Sequence, residues 1–131
     1  VTERAIVLAG HGSRASEAND ALLALGARLG LALGVAVYVG FLELSEPSIT
    51  SAIATAVADG HTRLTLVPYF LHPGMHVRRD LVDLCAHARD NHPGITIVQA
   101  EFLGAHPGML DVLADLARSA LAIGPSTQGE D

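Results

Sequence analysis

Short runs of apolar and β-branched residues alternate along this chain with longer stretches in which Ala and Leu recur at helical spacing. Residues 5–9 read AIVLA and stop at Gly10. Residues 16–31 carry the spacing of an amphipathic helix, with Ser16 as its N-cap and Gly34 as its stop. A second strand, VAVYVGFL, covers residues 35–42, and Ser45-Glu46-Pro47 opens a second helix that runs to Asp59-Gly60, with Pro47 in its first turn. Residues 64–71, LTLVPYFL, form a third strand in which Pro68 marks an edge, a bulge or the end. Helices at 77–90 and 107–122 enclose a fourth strand at 95–100. Residues 124–131 are polar and are expected to form a disordered tail.

Nearly continuous apolar strands are expected where helices cover both faces of a parallel sheet. Four strand-then-helix units therefore predict one α/β domain over residues 1–123, a parallel four-stranded sheet with helices on both faces. Strand order is not legible in the sequence. The chain has 131 residues, one domain's worth, and half of them are apolar. Its net charge of −6 argues against a nucleic-acid partner, which calls for a basic surface. No apolar run reaches the ~18–20 residues of a membrane span, and the N-terminal residues resemble no signal peptide. A soluble cytoplasmic protein is expected. The single cysteine, Cys85, excludes an internal disulfide or a cysteine-built metal site.

Ligands of open parallel sheets bind beyond the carboxyl ends of the strands. That rule sorts the seven histidines. His11 follows the first strand, His72 and His76 the third and His106 the fourth, while Glu43 follows the second. His61 belongs to the opposite rim, His87 to the body of the third helix and His92 to the loop after it. His106 also reads as part of a helix start, and His72 as a loop residue before Pro73. Two imidazoles and a carboxylate from separate loops suit a divalent metal such as Co²⁺, Ni²⁺, Fe²⁺ or Zn²⁺, with coordination positions left open. Competing chemistries lack their defining residues. No arginine precedes His11 as in histidine phosphatases, no G-x-S-x-G elbow is present, and the phosphate-loop lysine is missing because the chain contains no lysine.

Taken in order, four segments resemble the small, single-domain sirohydrochlorin chelatases of cobaltochelatase or ferrochelatase type. They are Leu8-Ala9-Gly10-His11-Gly12-Ser13-Arg14, Phe41-Leu42-Glu43 with Glu46-Pro47-Ser48-Ile49, Val67-Pro68-Tyr69-Phe70-Leu71 with Gly74-Met75-His76-Val77 and Asp80, and Leu103-Gly104-Ala105-His106-Pro107. The resemblance covers roughly residues 4–122. It implies insertion of Co²⁺, Fe²⁺ or Ni²⁺ into sirohydrochlorin, for cobalamin, siroheme or coenzyme F430 synthesis, the metal being a substrate and no cofactor being tightly bound. It implies that His11 and His76 bind the metal with Glu43 close by, these three forming the catalytic set, and that two chains pair as a homodimer.

A metal-free tetrapyrrole must lose two pyrrole protons and be held against rigid walls, for which Phe41, Phe70, Leu71 and Met75 are candidates. Its carboxylates would meet Arg14, Arg78 and Arg79 and the backbone N–H groups of Gly12 and Ser13. A noncatalytic metal or tetrapyrrole carrier on the same fold is the alternative, because fold alone does not decide function.

Overall fold

In a computed structural model that describes residues 2–123, every strand of the sheet runs parallel to its neighbours, in the order β2-β1-β3-β4. The tail expected at 124–131 lies outside the described residues. The strands are β1 (Arg4–Gly10), β2 (Ala36–Phe41), β3 (Arg63–Pro68) and β4 (Thr96–Gln99), and the helices are α1 (Ser16–Leu33), α2 (Ile49–Ala58), α3 (Met75–Asn91) and α4 (Met109–Ile123). A single 3-10 turn, Leu103–Ala105, precedes α4. No helix among the described residues is long and apolar enough to cross a membrane.

Side chains alternate across a strand, so β1 feeds both faces of the sheet. Ala5, Val7 and Ala9 join the main core with Ile49, Ala52, Ile53 and Ala56 of α2 and Leu81, Cys85 and Ala88 of α3. Leu8 points the other way, to Leu22 of α1 and to Val39 and Phe41 of β2. Helices thus cover both faces, as the continuous apolar strands predicted. Burying side chains such as Phe41, Leu64, Leu66 and Leu81 contributes about 1.5–3 kcal/mol each.

Several boundaries differ from the sequence reading. Ser16 is the first residue of α1 rather than its cap, which is Ala15. The polar closure comes from further back, where the Ser13 hydroxyl accepts the Ala15 N–H at 3.0 Å. Gly34 does end α1, at φ 66°. Pro47 lies ahead of α2, because its carbonyl is taken by the Phe41 N–H at 2.9 Å; Ser48 is the cap and accepts the Ser51 N–H at 3.1 Å. Pro68 ends β3 and marks no edge, since β3 lies between β1 and β4. Finally, α3 begins at Met75, so His76 stands in a helical turn and not in the loop before it.

The register brings the carboxyl ends of the three adjacent strands level, with Gly10 beside Phe41 and Ala9 beside Pro68. Residues following those three positions share one rim.

Candidate functional site

At that rim β1 and β2 stay paired beyond their regular ends. Leu42 N–H donates to the Gly10 carbonyl at 2.8 Å, and Glu43 N–H donates to the His11 carbonyl at 3.0 Å. Gly12, at φ 94°, makes the approach feasible, because a Cβ there would collide with the Glu43 carbonyl. Leu44, the next residue on the other side, is held at φ 64°. A left-handed conformation costs a leucine roughly 1–2 kcal/mol, so this turn is bent against its own preference to present Glu43. Asn19 braces the first loop: its Oδ1 accepts the Ser13 N–H at 3.0 Å and its Nδ2 donates to the Ser13 carbonyl at 2.7 Å.

His11 Nδ1 lies 3.1 Å from the Gly12 carbonyl, which can only accept, so this bond places the proton on Nδ1. In the neutral ring Nε2 then carries the lone pair. It stands 3.4 Å from Glu43 Oε1, and both side chains are about half exposed, at 49% and 60%. His76 faces them across an open cavity of about 440 Å³. The same cavity is lined down α3 by Asp80, Asp83 and His87. No arginine lines it, and three carboxylates do, so its field attracts cations and repels anions.

Two expectations need correction here. The sequence reading leaves His87 out of the site, yet it lines the cavity. The spacing 76, 80, 83, 87 is a helical stripe visible in the sequence, but it becomes informative only once α3 is turned toward the rim. Ser13 N–H is not free for a carboxylate, because Asn19 occupies it. His11, Glu43 and His76 share a cavity, but among the described residues no three such side chains stand close enough to hold an ion as they lie.

The remaining candidates are dispersed. Phe41 is buried in the smaller core and forms no wall of the cavity. Phe70 packs partly buried against the larger core, whereas Leu71 and Met75 are exposed at 65% and 73%. Arg14, Arg78 and Arg79 are exposed. His106 Nδ1 accepts the Gly108 N–H at 2.8 Å, a role in the loop before α4, and His72 meets the Phe102 ring edge-on at 6.2 Å. Neither lines the cavity. Cys85 is buried on the core-facing side of α3, and burial pushes its thiol pKa up, which keeps it protonated and out of metal chemistry.

A sequence profile described as CbiX matches residues 5–120. The sirohydrochlorin cobaltochelatase of Methanocaldococcus jannaschii is 38% identical over 67% of this chain and 62% of its own length. The chloroplastic sirohydrochlorin ferrochelatase of Arabidopsis thaliana is 33% identical over 89% of this chain, and the chain spans only 52% of that relative. The Methanopyrus kandleri sirohydrochlorin cobaltochelatase is 32% identical over 89% of this chain and 96% of its own length. Among solved structures, a CbiX protein of Marinobacter aquaeolei superposes with a TM-score of 0.82 at 27% identity, over 92% of this chain and 99% of that one. The sirohydrochlorin chelatase SirB of Bacillus subtilis subspecies spizizenii, in complex with cobalt, gives 0.82 at 25% identity, over 90% of this chain and 51% of that one.

Proposed function

The chain belongs to the CbiX family, and on that premise we propose that it inserts a divalent metal ion, Co²⁺ or Fe²⁺, into sirohydrochlorin. Ni²⁺ suits the same donors. One observation carries the reading: His11 and Glu43 face His76 across a cavity that is lined by carboxylates and free of arginine. Such a cavity favours a dication over the polyanionic ring.

The donor set suits a substrate ion rather than a resident one. Four closely converging ligands make a closed site that retains its metal, whereas few and separated ligands allow release. His11 Nε2 and the His76 ring replace part of the hydration shell as the ion approaches the pyrrole nitrogens. Insertion exchanges one dication for two pyrrole protons, so charge is conserved on the ring. Glu43, 3.4 Å from His11 and more than half exposed, accepts a proton and passes it to solvent.

A cavity of about 440 Å³ sits at the small end of the roughly 300–1,000 Å³ range of ligand pockets. The tetrapyrrole must therefore reach beyond it, over exposed Leu71 and Met75. We read the active form as a cytoplasmic homodimer. Helix α4 buries none of its residues and leaves Leu110, Leu116 and Leu121 exposed at 73%, 63% and 79%, a surface suited to a second copy. Relatives of nearly the chain's own length, and others of which the chain spans only about half, fit the same arrangement. Anaerobic mixing with sirohydrochlorin and Co²⁺ or Fe²⁺, followed by absorbance, tests the activity. Multiple turnovers above the uncatalysed rate are expected, and a rate equal to the uncatalysed one would refute it.

A further inference from the structure

Eight arginines face fourteen acidic residues in this chain, so an arginine fixed in place without an acidic partner calls for a reason. Arg63 stands 4.0 Å from Glu3, and Arg89 donates to the Ile97 carbonyl at 2.9 Å, which ties α3 to β4. Arg78 is held differently. It lies in the first turn of α3, two residues beyond His76, and its Nε donates to the Pro73 carbonyl at 3.1 Å. Its guanidinium carbon sits 4.7 Å from the centre of the Phe102 ring, within cation–π range. No carboxylate among the described residues pairs with it.

Phe102 is itself anchored. Just after it, Gly104 N–H donates to the Phe70 carbonyl at 3.0 Å, and a Cβ at Gly104 would collide with the Leu71 carbonyl. His72 closes on the ring from its edge. The loop before α3, the first turn of α3 and the loop after β4 thus hold one guanidinium between them. With Nε and one face engaged, the two Nη groups remain as a fork of donors, the shape that matches a carboxylate.

We propose that Arg78 is the preorganised anchor for a carboxylate of the tetrapyrrole, and that Phe102 is the positioning residue that aims it. This rests on the tetrapyrrole reading above. Because β2 and β4 are the two edges of the sheet, Arg78 turned toward Phe102 faces away from Glu43. The carboxylate rim of the substrate is drawn to one flank of the α3 start and the metal to the other. Arg79 shares the turn but has no such support.

The test is equilibrium titration of metal-free sirohydrochlorin into the full chain, read by absorbance, with Co²⁺ insertion kinetics alongside. Arg78→Ala should weaken binding roughly tenfold or more, lower its salt dependence and leave the KM for Co²⁺ unchanged. Phe102→Leu should weaken it severalfold, and Phe102→Tyr, which keeps the ring, should restore it. Arg79→Ala should lose less than Arg78→Ala, and Arg28→Ala, the same loss of charge on α1, should change nothing. Equal binding by Arg78→Ala and Arg28→Ala would overturn the assignment, as would a loss that high salt leaves untouched. A wild type that binds the ring without metallating it would sink the chelatase reading and leave the Arg78 comparison intact. A wild type that does not bind the ring would sink the inference too.

Discussion

His11 and His61 show how surroundings divide one residue type between an exposed rim and a buried structural contact. His11 is half exposed, with its Nε2 turned to Glu43 and the cavity. His61 is 6% exposed, holds the Thr2 carbonyl at 2.7 Å through Nδ1 and packs edge-on against Tyr38 at 5.7 Å. His61→Ala should therefore cost about 2 kcal/mol, from a lost buried hydrogen bond and a residual void. Thermal melting should show the drop, while kcat stays within about twofold of wild type, since no reacting group is touched. Sorting by strand ends separated these two histidines without any structure. It failed for His87 because a helix position carries no rim information until the facing side is known. Asn19 and Phe102 escaped notice for a related reason: each acts through a partner that only the folded chain supplies.

At the scale of elements, the alternation of apolar strands and helices was legible in outline, and the errors gathered at the ends. Pro47 and Ser48 compete for the start of α2, and the Pro47 carbonyl is drawn to the end of β2, which leaves the cap to Ser48. Ser48→Ala should cost about 1 kcal/mol, read from urea unfolding, with α2 otherwise unchanged. Tyr38 of β2 offers a second test. Its hydroxyl donates to Asp59 Oδ2 at 2.6 Å, and its pKa is pushed up to about 12 by burial, then by that bond and the Asp59 charge. The folded chain holds this proton more tightly than the unfolded one, whose phenol titrates near ~10. The stabilisation is therefore complete below pH 10 and is lost as pH rises through 12. With no lysine in the chain, few other groups titrate there. Melting temperature should fall across that range in wild type and fall less in Tyr38→Phe. Equal slopes would remove Tyr38 as the cause.

For the whole molecule, the parallel sheet was legible because unbroken apolar strands leave no face for water. The order β2-β1-β3-β4 was not, since every strand is apolar enough to lie inside. Nor could the sequence reveal that α4, with its regular Leu spacing, leaves its apolar side uncovered. Two copies sharing that surface should give about twice 13.6 kDa by light scattering. Leu110→Asp and Leu116→Asp together should shift the protein to monomer and weaken insertion. A fully active monomer would contradict the paired arrangement.

The cavity itself is tested most directly by the initial rate of Co²⁺ insertion into sirohydrochlorin, compared between wild type, His11→Ala and His76→Ala at matched folded concentration. Both histidines sit on the rim, where side chains contribute little to packing, so melting temperatures should stay close to wild type. Each variant should lose at least about a hundredfold in kcat. Variants that fold normally and insert cobalt at the wild-type rate would show that the metal is handled elsewhere.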